Sequence, residues 1–369
     1  MRLKSLIFGD FGVIRCKSRT SGLEIILLGT DGKLKVKLAG GAAAQCLALM
    51  NAIYLRNKLH RNFQLFYFPH STGTYWPFAI DFLLDNDELA SSNVKIKGLE
   101  EVDNLEVGKI IKSHPLAARR FSHERVLSII RKLKLERFLQ KLRGEDALLA
   151  SRKNLDKVGS RSRAVSGGFV PIADLEVNSE MDKRFVSAGK PSPFSISLED
   201  SKRPDIVIHF RIGDKRAKFS HPSDFGGDGI SNPQIFKTII DSMNLESSPR
   251  ITVVSDEPEV AQALLKEVKI EAETNSVTGN LWEDLYLMSQ ARVFIGSWSQ
   301  VSQLAAVCVS GNGGKSFLPS TTQVGTKINW KINGVSFYIP LFLEKEHDIY
   351  SENFSLDVNA HVAYKNNHL

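Results

Sequence analysis

A histidine, an arginine and an aspartate at the spacing His209-x-Arg211-x-x-Asp214 stand at the end of a strand-length apolar run, with Lys215 directly after them. Ile206, Val207 and Ile208 are β-branched, which suits a pleated and enclosed strand. In open α/β sheets ligands gather outside the carboxyl ends of the strands, where this cluster would sit. The guanidinium of Arg211 offers a planar fork of donors matched to the oxygens of a phosphate or diphosphate. The plainer alternative is a strand end finished by a surface ion pair between Arg211 and Asp214.

A second constellation strengthens the first. Leu281 to Arg292 reads as a short amphipathic helix that feeds a buried strand at Val293-Phe294-Ile295. That strand ends in Gly296 and a run containing Ser297, Ser299 and Ser302, ahead of another helix. Backbone N–H groups at a helix start, with serine hydroxyls beside them, form a cradle for anions. Ser297 or Ser299 could equally be an ordinary N-cap. An arginine at one strand end and a Gly/Ser helix start at another would together clamp a diphosphate.

These residues, taken in order, resemble the fucosyltransferase superfamily of GDP-sugar glycosyltransferases. His209 to Lys215 is similar to the His-x-Arg-Arg-x-Asp motif of that family. Ser255-Asp256-Glu257-Pro258 looks like its strand-end SDD/TDD turn, and Asp284 to Ala306 looks like its D-x-x-x-L-S-Q-A and S-S-Q-V segment. Gly40-Gly41-Ala42-Ala43-Ala44-Gln45 is a weakened match to the G-G-L-G-N-Q turn of the α1,2 enzymes. The resemblance spans residues 34 to 70 loosely and 204 to 310 more firmly. It implies that Arg211 binds the diphosphate, that His209 and Asp284 face the guanosine, and that Ser297 and Ser299 belong to the nucleotide-sugar site. In that picture Ser299 donates to a phosphate, while Gly41 and Gln45 lie across a cleft toward the transferred sugar. The implied donor is GDP-fucose or another GDP-sugar. The acceptor would be a glycan, lipid-linked or anionic.

The chain departs from the motif in three places. Ile212 stands where the family has a second arginine, Phe219 where the α1,6 enzymes have a carboxylate, and Ala44 where the glycine-rich turn has asparagine. Asp214, Asp224 and Asp228 are the nearby carboxylates able to take a proton from an acceptor hydroxyl. Nothing in the sequence chooses among the three; Asp214 is the one carried forward beside Arg211 as a catalytic candidate.

The remaining elements must position these groups. The chain has 369 residues and 42% hydrophobic composition, enough for two or three globular domains. Leu34 to Leu38, a helix-favouring run from Ala42 to about Lys58, and Phe63 to Phe68 give a β-α-β order and hence a parallel pair. Short strands are read in the first thirty residues, including Glu24 to Leu28. The stretch from Ser151 to Asp200 is rich in Ser, Gly, Pro and charge and reads as loops and a connection. From Asp205 two successive α/β units follow, with a glycine-rich loop at 224–229, a helix from about Pro233 to Met243, a strand at Arg250 to Val254, and a helix after Asp256. The expected fold is α/β and GT-B-like, two Rossmann-like domains facing a cleft. Residues 1–200 would form the acceptor side and residues 201–369 the donor-binding domain.

Composition narrows the rest. Three cysteines without Cys-x-x-Cys pairing, and nine histidines without ligand spacing, point to reduced thiols, a cytoplasmic setting and no resident metal or cofactor. No apolar run approaches the roughly 20 residues that span a bilayer. The net charge is +7, and between Lys109 and Arg163 sixteen Lys/Arg face five Asp/Glu. Within that block Val126, Ile129, Ile130, Leu133, Phe138, Leu139 and Leu142 make a helical stripe between Ser122 and Gly144. Its basic face suits a peripheral membrane contact or an anionic acceptor. Nucleic acid is disfavoured, because aromatic residues able to stack bases are sparse there. Gly311 to Ser316 ends like a P-loop, but Val309 replaces the first glycine, so it reads as a turn. Asp10-Phe11-Gly12 has no kinase signature around it. Two functions are carried forward: a metal-independent, inverting fucosyltransferase, and a non-catalytic nucleotide- or carbohydrate-binding protein with a degenerate glycosyltransferase fold.

Overall fold

The computed structural model describes residues 33–38, 41–67, 79–85, 87–88, 145–148, 164–166, 171–213, 215, 229–243, 245, 248–274, 280–319, 321–323, 326–328, 333–343, 347 and 349. The first thirty residues, the 122–144 stripe, the body of the 224–229 loop, Asp214 and Phe219 lie outside them. The chain divides into two compact units, Met1–Val170 and Pro171–Leu369.

In the N-terminal unit, β1 (Leu34–Leu38), α1 (Ala42–Leu59) and β2 (Phe63–Tyr67) form the expected β-α-β unit, with β1 and β2 parallel. Two further strands, β3 (Glu145–Leu148) and β4 (Ala164–Ser166), complete a four-stranded parallel sheet in the order β2-β1-β4-β3. Helix α1 is buried from Ala42 to Ile53 and again at Leu55. Alanine, leucine and methionine are strong helix formers. A helix apolar on nearly every face belongs inside a core.

The C-terminal unit opens with a correction to the sequence reading. Residues expected to be loop form α2 (Leu175–Ser187), capped by Asp174, whose carboxylate accepts from the N–H groups of Glu176 and Val177, each at 3.1 Å. Val177, Met181 and Phe185 recur every fourth residue and are buried. Phe185 packs edge-on against Trp282 at 5.6 Å. Gly189, at φ +68, takes the left-handed turn after the helix that a side chain would resist.

The main sheet has six strands: β5 (Ile206–Phe210), β6 (Ile251–Ser255), β7 (Glu273–Thr274), β8 (Val293–Gly296), β9 (Lys315–Pro319) and β12 (Val335–Tyr338). A short antiparallel pair, β10 (Thr321–Gln323) and β11 (Thr326–Ile328), interrupts the chain before β12. The sheet order is β12-β9-β8-β5-β6-β7, and every pairing is parallel. The chain therefore starts in the middle, builds outward through β6 and β7, then returns to the other side of β5 to build β8, β9 and β12. This is the doubly wound order, with its reversal between β5 and β8.

Four helices connect these strands: α3 (Pro233–Ser242), α4 (Pro258–Glu267), α5 (Leu281–Ser289) and α6 (Gln300–Gly311). Proline at the first turn of α3 and α4 is tolerated because its missing N–H would have no helical partner. Asn232, Asn280 and Ser299 cap α3, α5 and α6 with their side chains. Side-chain alternation along β5 sorts the two faces. Ile206, Ile208 and Phe210 join the core made with Phe236 and Ile239 of α3 and Ala261, Leu264 and Leu265 of α4. Phe210 meets Phe236 edge to face at 5.1 Å. Burying each such side chain stabilises the fold by about 1.5–3 kcal/mol. Val207 and His209 alternate to the opposite face, the side of α6. The P-loop-like stretch is the turn from α6 into β9, with Gly313 at φ +78. Among the described residues, no helix is long and apolar enough to cross a membrane.

Candidate functional site

Because the sheet is parallel, every strand delivers its carboxyl end to one edge. The helix that follows each strand begins at that edge. Arg211 follows β5, Asp256 follows β6, and Ser297 and Ser299 follow β8. Asp284 sits in the first turn of α5, which enters from the same edge. The order reversal puts Arg211 and Ser297 on neighbouring strands although 86 positions separate them.

Specific hydrogen bonds build the mouth. The Arg211 N–H donates to Ser297 Oγ at 3.0 Å, and the Ser297 N–H donates to the carbonyl of His209 at 3.0 Å. Ser297 is buried, so its hydroxyl fixes the gap between β5 and β8 instead of lining it. Ser299 is the N-cap of α6, accepting from the Val301 N–H at 3.1 Å. A hydroxyl that accepts this bond keeps its own O–H to donate.

His209 lies beneath the mouth. It is 5% exposed, and its Nδ1 meets Ser302 Oγ at 2.6 Å, tying β5 to the first turn of α6. Burial pushes its imidazole down to about 4, with the Arg211 charge acting the same way and the Asp256 charge opposing it. At neutral pH the ring is therefore uncharged. Its fixed place next to Arg211 costs no repulsion.

Arg211 pairs with a carboxylate that the sequence offered only as part of a turn. Its Nη1 stands 2.9 Å from Asp256 Oδ2, with the two side chains 20% and 13% exposed. Among the described residues no hydrogen bond reaches that oxygen, so its contact with Arg211 is an ion pair. Asp256 Oδ1 accepts the Ile212 N–H at 2.9 Å. Ser255 Oγ donates to the Phe210 carbonyl at 2.6 Å and accepts the Glu257 N–H at 3.1 Å, which fixes the neighbouring strand end. From the far side, Tyr338 Oη donates to the carbonyl of Gly296 at 2.6 Å. Ile212, at the position of the family's second arginine, is fully buried in the core with Phe210.

The other sequence candidates are distributed as follows. Asp284 is half-buried at the start of α5, its N–H bonded to the Asn280 carbonyl at 3.0 Å. Gly41 is the N-cap position of α1, with φ −72 and ψ 177 and no side-chain cap. Gln45 is buried one turn later, and its Oε1 accepts the Ala79 N–H at 2.9 Å. Both belong to the N-terminal unit. Asp214, Asp224 and Asp228 lie outside the described residues. Among the described residues, no group of three or more His, Cys, Asp or Glu is placed to hold a metal ion.

Sequence reasoning missed Tyr338, the bond between Ser302 and His209, and in part Asp256. Their roles depend on elements that the fold brings together from distant parts of the chain. Only the Asp256 signal, a carboxylate one residue past a strand, was available in the sequence.

No family model matches the chain, and no curated protein matches it. The structure is similar to solved structures of fucosyltransferases. POFUT1 in complex with GDP-fucose is 13% identical, the match covering 77% of this chain and 96% of that one with a TM-score of 0.33. Fucosyltransferase NodZ from Bradyrhizobium is 11% identical, with coverages of 75% and 93% and a TM-score of 0.36. A mutant of Arabidopsis thaliana FUT1 in complex with GDP is 11% identical, with coverages of 79% and 71% and a TM-score of 0.34.

Proposed function

We propose that this chain is a glycosyltransferase that moves L-fucose from GDP-fucose to a glycan hydroxyl, with inversion and without a metal ion. The observation that carries the reading is the place of Arg211: at the carboxyl edge of the sheet, at its order reversal, one strand away from the start of α6. Ligands of doubly wound sheets bind at such a point. The motif resemblance around His209 to Lys215 and Asp284 to Ala306 supplies the guanosine diphosphate and the fucose.

In this reading the C-terminal unit binds the donor and the N-terminal one the acceptor, in the two-domain GT-B manner. Departure of GDP builds negative charge on the β-phosphate. A guanidinium already in place stabilises that charge without reorganising at the moment of reaction. The fork geometry of arginine can serve a carboxylate and a phosphate at once. The Ser299 O–H and the N–H groups of the α6 first turn add donors on the β8 side. His209 acts from beneath, holding α6 against β5. Asp284 faces the guanosine, and Gly41 and Gln45 serve the sugar side. A carboxylate of the 214–228 segment, Asp214 first, takes the acceptor's proton. The basic block of residues 109–163 draws a lipid-linked or anionic acceptor at a membrane surface, on the cytoplasmic side.

One observation favours a second reading, a nucleotide- or carbohydrate-binding protein that no longer catalyses. Ile212 fills a core position, so the second cation of the family motif is lost and could not be restored without opening the core. Thermal melts with GDP, UDP and CMP, in the presence of chelator, test the shared part of both readings. A ligand that binds only the folded state raises the melting temperature as its concentration exceeds the dissociation constant. GDP alone should do so, and a shift with UDP alone or only with Mn²⁺ would overturn the GDP-sugar assignment. Transfer from GDP-fucose to an oligosaccharide panel then separates enzyme from binder.

A further inference from the structure

We propose that Asp256 is a positioning residue for Arg211, and that Gly213 is glycine because Asp256 needs the space. The kinetic consequence rests on the nucleotide-sugar reading; the positioning itself does not. Phe210 and Ser255 are register partners on β5 and β6, so Arg211 and Asp256 are the next residues on adjacent strands. Neighbouring strands run about 4.8 Å apart, which brings the two side chains within reach of each other. The Ile212 N–H holds one carboxylate oxygen at 2.9 Å, and this aims the other at Arg211 Nη1, also at 2.9 Å. The carboxylate is thus anchored to the backbone of the very turn whose side chain it orients.

Gly213 completes the arrangement. Its backbone does not adopt the left-handed conformation, so glycine is not required there for φ. A Cβ at this position would stand 2.6 Å from Asp256 Oδ2 and 3.4 Å from its Cγ. The missing side chain is what lets the carboxylate close on Arg211.

Electrostatics separates positioning from binding. A carboxylate beside an anion site repels the anion, so on charge alone Asp256 weakens diphosphate binding. Its benefit must be geometric. Asp256→Asn keeps an oxygen for the Ile212 N–H and removes the charge. Gly213→Ala leaves Asp256 intact and displaces it. The two variants reach Arg211 by independent routes and should share one signature. Turnover with GDP-fucose should fall on the order of a hundredfold, the cost of displacing a reacting group's partner by about 1 Å. GDP, measured by calorimetry on the full chain, should bind Asp256→Asn at least as tightly as the parent, since the repelling charge is gone, and Gly213→Ala nearly as tightly, since that charge remains. Near-parental turnover in both variants, or GDP affinity lost in step with turnover, would overturn the proposal. A ligand-free readout accompanies these: the rate at which phenylglyoxal modifies Arg211, followed on its peptide by mass spectrometry. Both variants should react several-fold faster than the parent, and equal rates would also overturn it. If the parent binds no GDP, the nucleotide-sugar reading fails, and the modification rates alone decide the role of Asp256. Should Asp256→Asn melt below the assay temperature, Gly213→Ala carries the test.

Discussion

Two helix starts in this molecule look alike in sequence and differ in structure. Each follows a parallel strand through a glycine, α1 after Gly41 and α6 after Gly296. The α1 start has no side-chain cap and runs straight into buried alanines. The α6 start is capped by Ser299, tied to β5 through Ser302 and His209, and braced by Ser297. The first owes its place to apolar packing, the second to polar bonds that cross the sheet's order reversal. Polar ties hold short, directional distances and fail sharply when one partner is lost. A tied start is therefore the one suited to hold an arginine and an anion in register.

The sharpest way to break this contrast is at Arg211. Arg211→Ala should lower turnover on the order of a hundred- to a thousandfold, as loss of one preorganised donor does. Arg211→Lys should do nearly as badly, since a lysine keeps the charge and loses the planar fork. The melt of Arg211→Lys, which keeps a cation beside Asp256, should stay close to the parent, whereas Arg211→Ala should melt lower because it leaves that largely buried carboxylate without its cation. Turnover that survives both changes would move the diphosphate away from the α6 side.

The next effect is read by pH. The folded state holds His209 at about 4, against 6.5 for an unperturbed ring. Between those values the unfolded chain binds a proton that the folded chain refuses. Stability from this group is fully present above pH 6.5 and is lost as the pH falls toward 4, by on the order of 3 kcal/mol. Urea midpoints at pH 7 and pH 4.5 measure it, with His209→Gln as the control in which that part of the slope disappears. An unchanged slope in the variant would mean that the α6 tie is not where the proton is refused.

The α1 side answers with smaller numbers. Gln45→Ala removes the acceptor of the buried Ala79 N–H and should cost about 2 kcal/mol by urea denaturation. Gly41→Ser supplies the missing cap in an extended backbone that serine accepts, and should gain a few tenths of a kcal/mol. A gain of that size beside unimpaired transfer would mean the open start is a packing feature. A gain with impaired transfer would mean that Gly41 is glycine to let a substrate approach.

What could be read from the sequence follows the same division. Strands β5, β6 and β8 were legible because Val and Ile runs end in charge, glycine or serine. Helices α1, α3, α4 and α6 were legible from their composition and their flanking Pro, Gly and Ser. Arg211, Ser297 and Ser299 were placed at strand ends because each directly follows an apolar run. Helix α2 was missed: Val177, Met181 and Phe185 have helical spacing, but the Ser- and Pro-rich surroundings outweighed three residues. Strand β7 has only two residues, Glu273 and Thr274, too few to show a period. The partner the sequence offered Arg211, in the plainer alternative, was Asp214, which lies outside the described residues; the structure adds Asp256, its neighbour in the sheet. Bonds between β5 and α6 were out of reach, because nothing local says which strands will lie side by side.

The 93 positions between His209 and Ser302 also bear on how the protein comes to exist. A contact that closes so long a loop must overcome chain entropy before it returns any stabilisation, and such contacts form late. The half-sheet of β5, β6 and β7 contains both Arg211 and Asp256 and is contiguous in the chain, so it can assemble first. During synthesis that half emerges from the ribosome while β8 and α6 are still unmade, and Tyr338 of β12 comes later still. For that interval the nascent chain exposes an arginine–aspartate pair and an unpaired edge on β5, with no mouth to enclose a ligand. On the nucleotide-sugar reading, a nucleotide would find its site only after the second half has docked, so ligand capture would report completed folding of this unit and not its onset.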